Sequence, residues 1–577
     1  MSFREEDRSL KQPLVEDILE RLSDDEEIVT FDGLLPIEED QVPDHADEED
    51  INLQKLYEEM KDLHKQKNVL KKPSLFVVSI LVFLFGFAEM LYLTPFITLT
   101  INKICVGINI GSCDSEEVQM RVSQIGSITL ICSGIISTLM GGKWGQWSDQ
   151  YGRVKIFGYM GVIRVFGNFL HLMTLTSWVP YNQWLIILSA TLNSTSGGMF
   201  AFFGNVNSYI ADVVEPEDRI SSISLVNSLM QVTTGVGPLM GSLLVKWYNG
   251  NDAVPIYLAM ITGILFTILC FTVVEEPRHQ KILKYTREQV VAKQLESHLE
   301  YNNEIMRSTT LWYTLQLRGK YHISKLVALL SPLKQLWLKD RPSTVKWNVI
   351  LLVLIDILFM SVITGIMPSF LLFCTFKYHW KSVELGYFIS TNGIMSGITL
   401  FISSHYGITL LKKVFPTKVT HVDILDKVTI GSALIFLTCS NFIMIEYSNF
   451  TGVILLFIIF RSLARICSPV TEATIMKHYK RNGKNVGQVF GAIALLNSLS
   501  MLIVPPILLR IYGVTIGIKP ELFLYFPLGC CLLALTSCLC LNLQEPADNA
   551  SSISFSENTA TVTVAIRLPS PSYGTDS

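Results

Sequence analysis

Charge is scarce in this sequence: Asp, Glu, Lys and Arg together supply 17% of 577 residues, against 49% hydrophobic. So small a charged fraction does not clothe a soluble chain of this size in water, and a mean hydropathy of +0.39 points the same way. A lipid bilayer is the expected surrounding. The formal net charge of -4 is small for the length, so no long-range field argues for a nucleic-acid partner. Glycine-rich phosphate loops, a nucleophile elbow and metal-ligand spacings are all missing, which argues against an enzyme, against direct nucleotide-driven work and against any cofactor. The 11 cysteines are scattered, many inside apolar runs, with neither a zinc spacing nor a disulfide framework. An apolar signal sequence is missing as well. Residues before Lys71 are polar and acidic, so the first apolar span is expected to act as its own insertion signal.

What is present is a series of apolar stretches of about 20 residues, long enough to cross roughly 30 Å of hydrocarbon as helices. They fall at Ser74–Ile101, Val122–Gly142, Val154–Thr176, Gln183–Val213, Ser222–Trp247 and Val254–Val274. After a long polar break come Trp347–Phe376, Glu384–His405, Val428–Tyr447, Gly452–His478, Asn485–Ile511 and Glu521–Leu543. The expected fold is an all-α polytopic membrane protein of 12 transmembrane helices, arranged as two six-helix bundles over residues 73–276 and 347–543. A cytosolic central loop, 277–346, joins them. Residues 1–72 carry acidic clusters (Glu5 to Asp7, Asp24 to Glu27, Glu38 to Asp40, Asp47 to Asp50), a composition expected to stay disordered. Residues 544–577 are rich in Ser and Thr and are read as a second disordered tail.

Basic residues in loops resist translocation. They gather before span 1 (Lys71, Lys72), between spans 2 and 3 (Lys143, Arg153, Lys155) and in the central loop, which places both termini in the cytosol. Cys105 and Cys113 then fall on the extracytoplasmic side, either as a disulfide or as two free thiols.

Between spans 2 and 3 the chain reads Gly145-Gln-Trp-Ser-Asp149-Gln-Tyr-Gly152-Arg153-Val-Lys155. This resembles the Gly-x-x-x-Asp-Arg-x-Gly-Arg-Arg/Lys loop of the major facilitator superfamily. Span 4 ends in Asp212, with Glu217 and Arg219 in the next loop. Span 5 carries Gly235-Val-Gly237-Pro238-Leu-Met-Gly241, similar to the Gly/Pro motif of antiporters in that superfamily. The branch it most resembles is that of tetracycline-resistance-like and drug:proton antiporters, with a long fungal-type tail. The resemblance implies two rocking bundles, a central cavity lined by spans 1, 4, 7 and 10, and a charge latch of Asp149, Arg153 and Asp212 that closes the cytosolic side. Two departures stand out: Gln150 replaces the loop's usual basic residue, and Asn193 stands where the span 4 proton-transfer motif has arginine.

The residues themselves give a matching account. Gly145 and Gly152 suit a tight turn between helices; Asp149 can cap a helix N-terminus and Arg153 can pair with Asp212. Gly235, Gly237 and Gly241 let helices approach closely, and Pro238 favours a bend.

Ionisable side chains at membrane depth mark paths or pairs. Glu89 in span 1 stands alone in the first half and is the leading candidate proton carrier. Asp356 in span 7 is expected to pair across the cavity with Arg461 or Arg465, which share a face of span 10. Arg164, in span 3, reads as structural, and Glu446 and Glu472 as solvated. Asn205, Asn207, Gln231, Asn392 and Asn497 are candidate cavity-lining polar groups. The expectation is a monomeric secondary transporter of a small organic solute, coupled to protons and embedded in lipid; the alternative is a non-transporting sensor or adaptor on the same fold. Leu34-Leu35 and Pro13-Leu14-Val15 loosely resemble sorting signals for vacuolar membranes, which favours that location over the plasma membrane.

Overall fold

In hydrocarbon every backbone N–H and C=O must find a partner within the chain, and a computed structural model meets that demand with helices alone among the described residues. Those residues are 73–109, 111–214, 219–278, 280–306, 342–403, 422–479 and 486–543. Both terminal tails, with Leu34-Leu35 and Pro13-Leu14-Val15, Glu217, and residues 279 and 307–341 of the central loop lie outside them. Eleven helices are long and apolar enough to cross a membrane. The remaining expected crossing, span 8, is the 21-residue helix Ser382–Ile402, made less apolar by Ser390, Thr391, Asn392 and Ser396. The protein is a multi-pass integral membrane protein. Exposed Leu188, Ile261, Ile398 and Leu532 give its outer surface an apolar face suited to lipid. The central loop contains a helix, Gln280–Met306, whose Arg287 stacks over the ring of Tyr151 at 4.5 Å.

Spans 1, 4, 7 and 10 are each interrupted. Span 1 is Leu75–Leu91 followed by Leu93–Ile108; Pro95 has no N–H for the Leu91 carbonyl and its ring crowds that oxygen. Pro368 does the same to Thr364, splitting span 7 into Ser343–Ile363 and Met367–Tyr378. Pro469 acts on Arg465, splitting span 10 into Val453–Ala464 and Cys467–Tyr479. Span 4 breaks differently: Gln183–Asn193 passes through a 3-10 turn, Ser194–Ser196, into Gly198–Val213. Gly197 and Gly198, at φ of 79° and 67°, supply the left-handed backbone. The half-helices nearer the Cys105–Cys113 end hold 16, 11, 12 and 12 residues, so all four breaks lie roughly 16–24 Å from that end.

Cys105 and Cys113 are disulfide-bonded. At this end the two halves share one apolar core, in which Leu91, Phe96 and Val122 join Phe370, Phe457 and Leu508. Toward the opposite end the halves keep separate cores, one around Val78, Phe157 and Phe202, the other around Leu352, Ile430 and Ile475. Polar bonds also link the halves at the disulfide end: Gln119 Nε2 donates to Thr375 Oγ1 at 3.3 Å, Ser242 Oγ to the Val383 carbonyl at 3.0 Å, and Ser382 Oγ to Asp252.

The glycines of span 5 fit into this arrangement. A Cβ at Gly241 would lie 2.7 Å from the Leu91 carbonyl, the oxygen freed by Pro95, and one at Gly237 would strike Met90. Gly235 faces span 8, where a Cβ on Gly393 would meet the Gly235 nitrogen at 3.1 Å. Span 5 thus packs closely on span 1 within its own half and on span 8 of the other. Its helix, Arg219–Trp247, runs through Pro238 without a break.

Candidate translocation site and charge cluster

At the end opposite the disulfide, Gly152 alone makes the turn between spans 2 and 3. Its φ is 108°, and a Cβ there would lie 2.5 Å from the Glu276 carboxylate. Gly145 makes no turn: it lies inside the helix Glu116–Tyr151, with nothing within 4 Å of a built Cβ. Asp149 caps no helix either, being in the last turn of that helix, where N–H groups are already paired. The cap on the following helix is Glu276, whose two oxygens accept from the backbone N–H of Arg153 at 2.8 Å and of Val154 at 3.0 Å. Burial pushes the Glu276 carboxyl above its usual range despite these bonds.

Arg153, buried, reaches Asp212 at 2.9 Å, Asp149 at 2.6 Å and the Ser148 hydroxyl at 2.9 Å. A second cation completes the cluster. Arg278 binds both oxygens of Asp212, at 2.9 and 3.1 Å, and Asp149 at 3.1 Å. Sequence reasoning missed Arg278 and Glu276, although both stand among charged residues immediately after span 6. All these members belong to the first half of the chain. Lys155 is exposed.

Glu89 is not alone. Arg164 of span 3 donates from Nε to its Oε1 at 2.6 Å and ion-pairs through Nη2 with Oε2, while the Tyr92 hydroxyl donates at 2.7 Å. Span 3 turns Arg164 inward beside a small cavity lined by Phe85, Glu89 and Asn168, which is why Glu89 does not stand alone. Conversely, Asp356 has no arginine partner among the described residues. It is fully buried, and its oxygens accept from Ser468 Oγ at 2.8 Å and Asn497 Nδ2 at 3.1 Å. Glu472 is partly buried, one turn beyond Ser468, rather than solvated at a span end. Arg461 turns to the backbone instead: its Nη2 donates to the Val362 carbonyl at 2.9 Å and to that of Ile363, two oxygens left over where span 7 breaks.

The polar side chains divide. Asn497 holds Asp356. Asn205 is buried, its amide 3.7 Å from the Met160 sulfur, an interior packing position. Asn392 is buried with its Oδ1 unpaired among the described residues. Gln231 is partly buried and Asn207 exposed. The proline-marked breaks and the lone arginine at membrane depth in span 3 were the signals in the sequence that could have located this centre.

The comparisons with known proteins agree with this architecture. An uncharacterised membrane protein of Saccharomyces cerevisiae is 38% identical over 461 residues, covering 79% of this chain and 82% of its own. The MFS-type transporter avaJ of Aspergillus versicolor is 21% identical over 432 residues, 71% of this chain and 75% of that one. The crystal structure of a D-xylose-proton symporter shares the fold, with a TM-score of 0.50 at 12% identity over 82% of this chain and all but 2% of the other, of which 98% is covered. The model of the Major Facilitator Superfamily matches residues 76–505; this chain belongs to that superfamily and is a membrane transporter of its type, not an enzyme.

Proposed function

We propose that the protein carries a small organic solute by alternating access, coupled to protons, with the site at the four helix breaks and the cytosol at the Asp149 end. The observation that carries this reading is an asymmetry. One core joins the halves at the disulfide end, while two separate cores lie beyond the breaks. That is the form expected of a transporter open toward the cytosol, since packed interfaces switch between discrete arrangements rather than stretching. Interrupted helices at mid-membrane leave backbone groups free for a solute, as discontinuous spans do in transporters generally.

Asp356 is the better proton site. Glu89 has its charge answered by Arg164, whereas the partners of Asp356 among the described residues are the neutral donors Ser468 and Asn497, so a proton is the natural counter-charge. The antiporter-like glycines of span 5 support exchange rather than symport, and the acidic tail supports a vacuolar or other endomembrane location.

Proteoliposomes loaded with a pH-sensitive dye test the reading. Solute-dependent proton movement, lost in Asp356→Asn, is the expected result. No flux of any solute across a broad metabolite panel would sink it.

A further inference from the structure

Two guanidinium groups, one helical turn apart, lie at the break of span 10, and neither forms an ion pair among the described residues. Arg461 is fully buried; with Nη2 committed to the span 7 carbonyls, its Nε and Nη1 have no hydrogen-bond partner among the described residues. The Phe457 ring lies 5.3 Å beneath it, itself stacked on Phe370 at 4.7 Å, which holds the guanidinium plane in one orientation. Arg465 also leaves Nε unpaired, and it is only partly buried, so the pair has an accessible side. Asp356, the acid on the neighbouring span, is turned to Ser468 and Asn497 instead.

Unanswered positive charge in a low-dielectric interior is costly, and these two groups also repel each other. The half-helix Cys467–Tyr479 starts two residues after Arg465, and its N-terminal end adds partial positive charge of the same sign. A carboxylate or phosphate fits all three features: its oxygens match the guanidinium fork, and its charge offsets both arginines. A cation would be repelled there, and a neutral solute would leave the charges unanswered.

We propose that Arg461 and Arg465 recognise an anionic group, carboxylate or phosphate, on the transported solute. This rests on the transport reading above and supplies its substrate class. A phospholipid headgroup presents the same chemistry, so the experiment separates the two sources.

The purified full-length chain in lipid-free detergent is heated with citrate, succinate or inorganic phosphate, with glucose or choline chloride at matched ionic strength, or with phosphatidylglycerol. At least one soluble anion should raise the unfolding temperature by several degrees where glucose and choline do not. The shift should vanish in Arg465→Gln and persist in part in Arg465→Lys, which keeps the charge without the fork. Arg461→Gln removes the span 7 carbonyl cap and is read only if it folds, so Arg465 decides. No shift with any soluble anion, an equal shift in Arg465→Gln, or stabilisation by phosphatidylglycerol alone would each overturn the proposal. In proteoliposomes, anions that bind through Arg465 yet never cross would leave this site standing and defeat the transport reading. Uptake confined to neutral or cationic solutes would do the opposite.

Discussion

Glu89 and Arg164 form a two-pronged ion pair inside the first half of the chain, joining span 1 to span 3 three residues before the break at Tyr92. Breaking such a pair leaves one charge buried without an answer, which costs about 3–5 kcal/mol, more than the pair contributes over a neutral pair. Glu89→Gln and Arg164→Gln should each lower the unfolding temperature in detergent markedly. The double variant should recover much of the loss. Equal stability of Glu89→Gln and wild type would mean that the pair is not formed in the protein.

Asp356→Asn keeps the size of the side chain and its bond from Ser468 while removing the proton site. Proton-driven accumulation should disappear, whereas counterflow exchange, which needs no net proton release, should survive. Glu89→Gln transport measured in parallel discriminates the two carboxylates. If accumulation persists in Asp356→Asn and is lost in a folded Glu89→Gln, the coupling role belongs to span 1.

Asp212 answers two guanidiniums, Arg153 and Arg278. Asp212→Asn should therefore cost about 2 kcal/mol, the scale of hydrogen bonds to charged groups, and lower flux. Arg153→Ala should be milder in stability, because Arg278 still holds Asp212 in place. A greater loss in Arg153→Ala than in Asp212→Asn, read by thermal unfolding, would show that Arg278 does not share the load.

Glu276 caps the helix of span 3 from a position 123 residues away. Its folded carboxyl titrates above the unfolded one, so between the two values the folded state holds more proton. Stability from this group falls as pH rises through that window. Unfolding temperatures of wild type and Glu276→Gln, followed from pH 4 upward to about 7 across the usual glutamate range, should differ in slope, with the variant flatter. Parallel curves would rule out a linked proton at Glu276.

Twelve crossings in two sets of six were legible in the sequence because hydrocarbon imposes a local condition: each span must be apolar and internally bonded over a fixed length. Pairing of Arg153 with Asp212 was legible for a similar reason, since both stand at span ends, Arg153 directly after a glycine turn. Partner choice inside the membrane was not. Asp356 of span 7 and the two arginines of span 10 read as partners in the sequence, yet Asp356 is bonded by Ser468 and Asn497, and Glu89 has the arginine that span 3 turns inward. Which face of a helix points inward depends on how all six helices of a bundle pack, a property no single span carries. The helix breaks fall between these cases. Pro95, Pro368 and Pro469 determine by themselves that a ladder bond is lost; only the packed structure decides that the Val362 and Ile363 carbonyls at the end of span 7's first half-helix go to Arg461, and that the Leu91 carbonyl abuts the bare face of Gly241, because those partners come from helices distant in the chain.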